Sequence, residues 1–198
     1  MLDDLHLETE RLIMRPFDFN DSEQLHQILS QKEVMRYLPE DVMSLKEVKR
    51  TISWLKDCYR KNSPEHIVKL TLAAVSKQDQ KVVGWCGLGP LEFSPKEIEI
   101  YYGLSKHHWG KGFATEAAKA MLHYGFDKFK LETIVGITKP ENIASARVLE
   151  KLGMIYRKKI GKLPEKQRFY EGCLYYSLSK DEYLGNTGKE DITGTLHD

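Results

Sequence analysis

The sequence predicts an α/β domain, on three observations. Residues 97–129 read as a strand, a glycine-containing loop and an amphipathic helix, and residues 132–139 add a β-branched strand behind them. A strand–helix–strand unit of this length is a crossover, which favours parallel neighbours. Residues 67–76 and 81–90 are two further strands joined by a polar turn at 77–80, a hairpin pattern. Helix-start signals then alternate with these strands along the chain, so helices and sheet share one domain.

In chain order, residues 7–15 alternate as a strand, with Leu12 and Met14 on one face and Arg11, Ile13 and Arg15 on the other. Asn20 with Glu23 reads as a capping box opening a helix whose buried stripe is Leu25, Ile28 and Leu29. Ser44 with Glu47 is a second box, followed by Leu45, Val48, Ile52, Leu55 and Tyr59 at helical spacing. Gly84, Gly87 and Gly89 weaken the strand at 81–90 and mark a bulge or a close backbone approach. In the central unit Ile98, Ile100 and Tyr102 share one face of a strand, and Glu97, Glu99 and Tyr101 the other. Ala114, Ala118, Met121, Leu122, Gly125, Phe126 and Phe129 then follow the helical period. Asn142 opens a short helix that Gly153 closes, and 154–160 and 168–179 read as the last strands. The polar segment 185–198 reads as a mobile tail or packing appendage after a single domain at 1–184.

Composition narrows the function classes. Hydrophobic residues at 41% and charged ones at 30% are ordinary globular values. A formal net charge of +1 supplies no field for nucleic acid or an anionic membrane. Apolar runs fall short of a membrane span, and the start MLDDLHLETE lacks a signal-peptide layout. Cys58, Cys86 and Cys173 are scattered and odd in number, which argues against a disulfide framework or zinc site and for a reducing cytoplasm. His107-His108 has no acidic or thiol partner at ligand spacing, so no metal is expected.

The loop Trp109-Gly110-Lys111-Gly112-Phe113-Ala114-Thr115 carries the chemistry. Two glycines and an alanine let the backbone approach a ligand closely, and the following helix start presents unpaired amides and a positive dipole end to an anion. The spacing is neither the dinucleotide GxGxxG nor the GxxxxGK[ST] of a P-loop. It resembles the acyl-CoA pyrophosphate loop [QR]xxGx[GA] of the GNAT N-acetyltransferases, with Trp109, Gly112 and Ala114 at its fixed positions and Trp109 departing from Gln or Arg. The form W-G-x-G-[YF]-A-T-E-A is similar to the branch containing the ribosomal-protein N-terminal acetyltransferases. A second signature of that family, N-x-x-S-x-x-V-L-x-K-x-G-[FM], matches Asn142 through Met154, and the resemblance spans residues 7–183.

The resemblance implies the GNAT fold, a mixed, twisted sheet of about seven strands opened into a V for acetyl-CoA. It implies amine N-acetylation by direct attack in a ternary complex, the acceptor being a small-molecule amine or a protein N-terminus. Monomer or homodimer is the implied assembly. The amides of Trp109, Gly110, Lys111, Gly112, Phe113, Ala114 and Thr115 would cradle the pyrophosphate. Backbone groups of Tyr102 and Leu104 would meet the pantetheine arm, the Leu104 amide serving the oxyanion. Asn142 has two readings, a helix N-cap and a pantetheine contact. Many relatives protonate the thiolate with a tyrosine where this chain has Leu149, so Ser145 is the implied acid, and a local helix-start hydrogen bond is its plainer role. Glu99 is the implied base, with Glu97 on its face as the alternative. Glu40 and Asp41 would draw a cationic acceptor. Tyr37, Trp54, Trp85 and Tyr170 are candidate acceptor-wall aromatics. Lys158, Lys159, Lys162, Lys166 and Arg168 would meet the 3′-phosphate or an acidic partner, or form a solvated face. A non-catalytic acyl-CoA-binding module is the alternative reading, which the leucine at 149 keeps open.

Overall fold

A computed structural model describes residues 5–193 of the chain. Strands β1 (Leu7–Glu8) and β2 (Leu12–Pro16) precede helices α1 (Ser22–Leu29), α2 (Lys32–Met35) and α3 (Leu45–Lys61). Strands β3 (Leu70–Ser76), β4 (Val82–Leu91) and β5 (Ser94–Leu104) lead to helix α4 (Phe113–Asp127) and strand β6 (Thr133–Thr138). Helix α5 (Ile143–Lys151), strands β7 (Ile155–Lys159) and β8 (Leu174–Ser179) and helix α6 (Lys180–Thr193) complete the order.

The eight strands form one mixed sheet in the order β1-β2-β3-β4-β5-β6-β8-β7. Among the described residues only β5 and β6 run parallel, as the crossover through α4 requires. Helix α4 packs on one face, with Gly125 against Leu88 and Ile134. Helices α1 and α3 cover the other face. There the Tyr59 hydroxyl donates to the Thr71 carbonyl at 2.5 Å and accepts from the Phe17 N–H at 3.1 Å.

Four boundaries differ from the sequence reading. The strand expected over 7–15 is broken at Thr9–Arg11, because the Thr9 hydroxyl accepts from the Leu12 N–H at 2.9 Å and folds the segment into a hairpin. The first capping box is Asp18 with Asp21, two residues before Asn20 and Glu23. Asp18 accepts from the Asn20 amide at 3.0 Å, and Asp21 from the Asp18 amide at 2.8 Å. The Asp21 carboxylate also takes both Arg15 Nη donors, at 2.7 and 2.8 Å, which explains its burial. The last strand starts at Leu174, not 168, since Glu165–Tyr170 is a 3-10 turn. The polar segment from Gly185, expected as a tail, continues α6 to Thr193, and residues 194–198 lie outside the described part.

The glycines of β4 and β5 are where the sheet's shape is decided. Neighbours in register are Trp85 with Gly103, Gly87 with Tyr101 and Gly89 with Glu99. A Cβ on Gly103 would lie 2.2 Å from the Trp85 ring, and one on Gly87 would lie 2.6 Å from the Tyr101 hydroxyl. Each large side chain therefore lies flat across its glycine partner. The Tyr101 hydroxyl reaches across β4 to Thr71 Oγ1 on β3 at 2.7 Å. This is the close approach read from the sequence. Register shifts also occur at Ala74/Val75 and Pro90/Leu91.

Overpacking at this contact is costly. Gly103→Ala is expected to destabilise by about 1–3 kcal/mol in urea unfolding. Gly161→Ala, with nothing within 4 Å of the added Cβ, is expected to stay within about 0.5 kcal/mol of the parent.

Candidate active site

Strands β5 and β6 stay in register for only two pairs, Ile98 with Ile134 and Glu99 with Val135, and then part. Strand β5 continues five residues further along β4, to Leu104. The Ser105 N–H donates to the Val83 carbonyl at 2.9 Å, so it points toward β4. Backbone groups alternate sides along a strand, so those of Tyr102 and Leu104 point away from β4, into the opening beside β6. A cleft of ≈ 790 Å³ runs through this opening.

At one end lies the glycine loop. Gly110 and Gly112 have φ of 72° and 83°, left-handed values that a glycine adopts without strain. Gly112 is the N-cap of α4, and its carbonyl accepts the first helical bond, from the Glu116 N–H at 3.0 Å. The amides of Phe113, Ala114 and Thr115 therefore open toward the cleft end of the helix. The Trp109 indole N–H donates to the Leu104 carbonyl at 2.9 Å, which ties the loop to the end of β5.

A clamp from the β1–β2 turn holds this loop. Glu116 accepts from Thr9 Oγ1 at 2.5 Å, from the Arg11 N–H at 2.7 Å and from Arg11 Nε at 2.7 Å. Arg11 Nη1 donates to the Lys111 carbonyl at 2.9 Å, and the guanidinium lies 4.6 Å from the Phe113 ring centroid. These donors hold the Glu116 carboxyl below its ordinary value against the opposing effect of burial, which is the largest single influence on it. Nothing in the sequence alone pairs Thr9 and Arg11 with Glu116; only the fold brings the two segments together.

On the facing wall, the Asn142 carboxamide oxygen accepts from the Ser145 N–H at 3.2 Å, so the N-cap role exists. The Tyr102 hydroxyl lies 3.1 Å from both Ser145 Oγ and the Ser145 carbonyl. Burial pushes the Tyr102 phenol well up, so it stays protonated at any ordinary pH. Leu149 is core: it is 1% exposed, and a Cβ on Gly136 would lie 2.6 Å from its side chain.

Glu99 lies deeper along the same strand. Burial raises its carboxyl to about 7, with Lys69 and the Ile137 backbone amide pulling it back and Glu92 pushing it further up. Glu97 differs: it accepts a hydrogen bond from the Tyr175 hydroxyl and lies outside the cleft. Of the expected site residues, Glu99, Tyr102, Leu104, Trp109, Gly110, Gly112, Phe113, Ala114, Thr115, Asn142 and Ser145 border one cleft. Lys111 does not; its carbonyl serves Arg11.

The acceptor-wall aromatics divide. Tyr37, Trp85 and Tyr170 border the cleft, whereas Trp54 is 51% exposed on α3 and takes no part. Glu40 borders the cleft; Asp41 does not, and accepts from the Val42 N–H at 2.7 Å. The basic cluster from Lys158 to Arg168 is also outside, and the cations beside α5 are Arg147 and Lys151 instead. The sequence reading missed Lys69, which borders the cleft next to β3. His108 borders it as well, with Nδ1 buried and unpaired. Among the described residues, no group of three or more His, Cys, Asp or Glu is placed to hold a metal ion.

This architecture defines a class. The acetyltransferase (GNAT) domain family matches residues 11–155, and the chain belongs to that family of N-acetyltransferases. The N-acetyltransferase p20 of Bacillus licheniformis, itself uncharacterized, is 30% identical over 90% of this chain and 98% of its own. An acetyltransferase (GNAT family) from Bacillus anthracis superposes with a TM-score of 0.72 at 28% identity, covering 89% of this chain and 99% of that one. The fold is also that of RimL, a ribosomal L7/L12 alpha-N-protein acetyltransferase solved in complex with coenzyme A. There the TM-score is 0.73 at 17% identity, over 89% of this chain and 99% of that one.

The Glu99 environment has a thermodynamic signature. Its folded value lies above its ordinary 4.5, so its contribution is complete below that value and is lost as pH rises through about 7. Glu99→Gln is expected to exceed the parent in stability at pH 8 by up to about 3 kcal/mol, the gain vanishing by about pH 4. Urea unfolding of both proteins at the two pH values checks this.

Proposed function

We propose that the protein transfers the acetyl group of acetyl-CoA to a primary amine by direct attack in a ternary complex. The observation that carries this is the parting of β5 from β6, with the glycine loop at one end of the opening and Glu99 at the other. RimL, of the same fold, is solved with coenzyme A, which supports the donor.

The amides of Gly110 and of Gly112 through Thr115 hold the pyrophosphate at the positive end of α4. The Trp109 amide, expected in the same cradle, donates to the Lys106 carbonyl at 3.2 Å, and Lys111 lies off the cleft. The Tyr102 and Leu104 backbone groups align the pantetheine arm, and Asn142 adds a contact while capping α5. Holding the thioester and the amine together is the largest service such a site performs. Glu99, as carboxylate, takes the proton of the acceptor ammonium. The amine nitrogen then bonds to the thioester carbonyl carbon, and the Leu104 N–H stabilises the oxygen as it gains charge. As the carbon–sulfur bond breaks, the Ser145 hydroxyl, hydrogen-bonded to the Tyr102 phenol, gives a proton to the departing thiolate. It regains the surplus proton that the new amide nitrogen sheds, so CoA leaves as the thiol, the amide as a neutral group and Ser145 as a hydroxyl. That phenol reaches α5 from β5, which answers the absence of a tyrosine at Leu149. Cys58 and Cys86 are buried away from the cleft, and Cys173, which borders it, has its thiol raised by burial, so little thiolate is present for an acetyl-enzyme route.

Thermal unfolding tests the donor. A ligand at a hundred times its Kd adds about 2.7 kcal/mol, which raises the Tm of a domain this size by roughly 5–11 °C. Acetyl-CoA and CoA are expected to give that rise; a rise with ATP or NADPH alone would overturn the reading of the loop. Ser145→Ala is expected to lower kcat about 10²-fold or more, the contribution of a positioned acid, with the CoA-induced Tm rise retained. Unchanged turnover would remove Ser145 as the acid. A stable acetyl adduct seen by mass spectrometry would refute direct transfer, and CoA binding without turnover of any amine would favour a binding module.

A further inference from the structure

The acceptor end of the cleft has a floor made by a row of residues across three strands. Leu70 pairs with Leu88 and Gly89 with Glu99, so Lys69, Gly89 and Glu99 lie side by side on one face of the sheet. With strands about 4.8 Å apart, the outer two residues of this row are roughly 10 Å apart at their Cα atoms. Gly89 contributes no side chain between them. The Lys69 stem fills that space: a Cβ on Gly89 would lie 2.8 Å from Lys69 Cδ and 3.5 Å from Nζ. The lysine thus lies along the floor toward Glu99 instead of extending to solvent. Its ammonium ends 3.9 Å from the Tyr101 ring centroid, and that ring is fixed by the Tyr101–Thr71 hydrogen bond of 2.7 Å.

This cation is half-buried and has no carboxylate within ion-pair distance. Among the described residues neither Lys69 nor Glu99 forms an ion pair, although ten pairs of other residues do. A flexible, strongly hydrated ammonium held in a tailored slot, with no carboxylate within ion-pair distance, leaves its donors open to an incoming anion. Burial lowers the Lys69 ammonium from its ordinary value, while Glu99, Glu40 and Glu92 act from further off to keep it charged.

We infer that the acceptor is a small amino carboxylate, whose amine meets Glu99 while its carboxylate meets Lys69. The inference rests on the amine-transfer reading above and names the substrate class for the same site. A polyamine would place a second ammonium against Lys69 in a poorly solvated cleft, where like charges repel strongly. A neutral carboxamide in place of the acid would leave the lysine without its counter-charge.

The test uses the full chain, acetyl-CoA and matched acceptors: free L-amino acids and β-alanine, each beside its carboxamide, with spermidine and a short peptide for comparison. The acids are expected to exceed their amides at least tenfold in kcat/KM. Lys69→Met keeps the stem over Gly89 and is expected to abolish that preference through a rise in KM for the acids alone. The Tm rise with acetyl-CoA is expected to persist in the variant. Preference for amides, for spermidine or for the peptide overturns the inference while leaving amine transfer standing, and so does an equal loss on acids and amides in Lys69→Met. Acetyl-CoA binding with no turnover of any amine overturns the amine-transfer reading and this inference with it. The acid–amide comparison on the parent protein decides the matter even where the variant fails to fold.

Discussion

Two strands that start parallel and then separate impose the constraint on which the site depends. A backbone N–H or carbonyl withdrawn from water must be paired, or it costs free energy comparable to a lost hydrogen bond. Past Glu99 and Val135 the sheet stops pairing β5 with β6, so the edge of β5 offers its peptide groups to whatever enters. One of them, the Leu104 carbonyl, is taken by the Trp109 indole. The neighbouring groups are arranged as a ladder needs them, which suits a ligand that itself carries amides. The opening is thus an interrupted sheet, with β4 holding β5 straight on one side while β8 holds β6 on the other.

A second constraint is lateral. Trp85, Tyr101 and Lys69 are too long to stand beside one another on a covered face, and glycine at 103, 87 and 89 lets each lie down. The floor of the cleft is therefore flat and thin at the positions nearest the chemistry. Packing at this density leaves little tolerance, since an added methyl must displace a ring that is already hydrogen-bonded or stacked. The same economy sets Glu99 apart from Glu97. Neighbours of one chemical type and one face, they differ in that Tyr175 engages Glu97 at the outer end of the strand.

Much of this was legible in the sequence. Periodicity marked the β5–α4–β6 unit, the Ser44–Glu47 cap and the stripe of α3, because those signals are local and strong. The family signature located Gly112, Ala114, Asn142 and Ser145, and the fold gathers them in one cleft. What sequence could not show is pairing at a distance. Thr9 and Arg11 lie more than a hundred residues from Glu116, and a threonine–arginine turn in an alternating segment reads as strand. Lys69 reads as an ordinary charge inside the strand expected at 67–76 until the register sets it opposite a glycine. The Asn20 cap was misplaced because Asp18, Asn20 and Asp21 all carry capping chemistry, and only Arg15 selects Asp21. Trp54 is a pocket candidate by residue type alone; the stripe of Val48, Ile52, Leu55 and Tyr59 already sets it off the buried face of α3.

The Arg11–Glu116 clamp joins the rim of the molecule to its centre. Strands β1 and β2 form the outer margin of the sheet, where fraying is least costly. Their turn supplies the guanidinium that grips both the Lys111 carbonyl and the first turn of α4. The order of the glycine loop is therefore borrowed from one margin of the sheet. Whatever peels that margin loosens the loop before the core is disturbed, and whatever occupies the loop fastens the margin in return. Occupancy and the integrity of the N-terminal hairpin become two readings of one equilibrium.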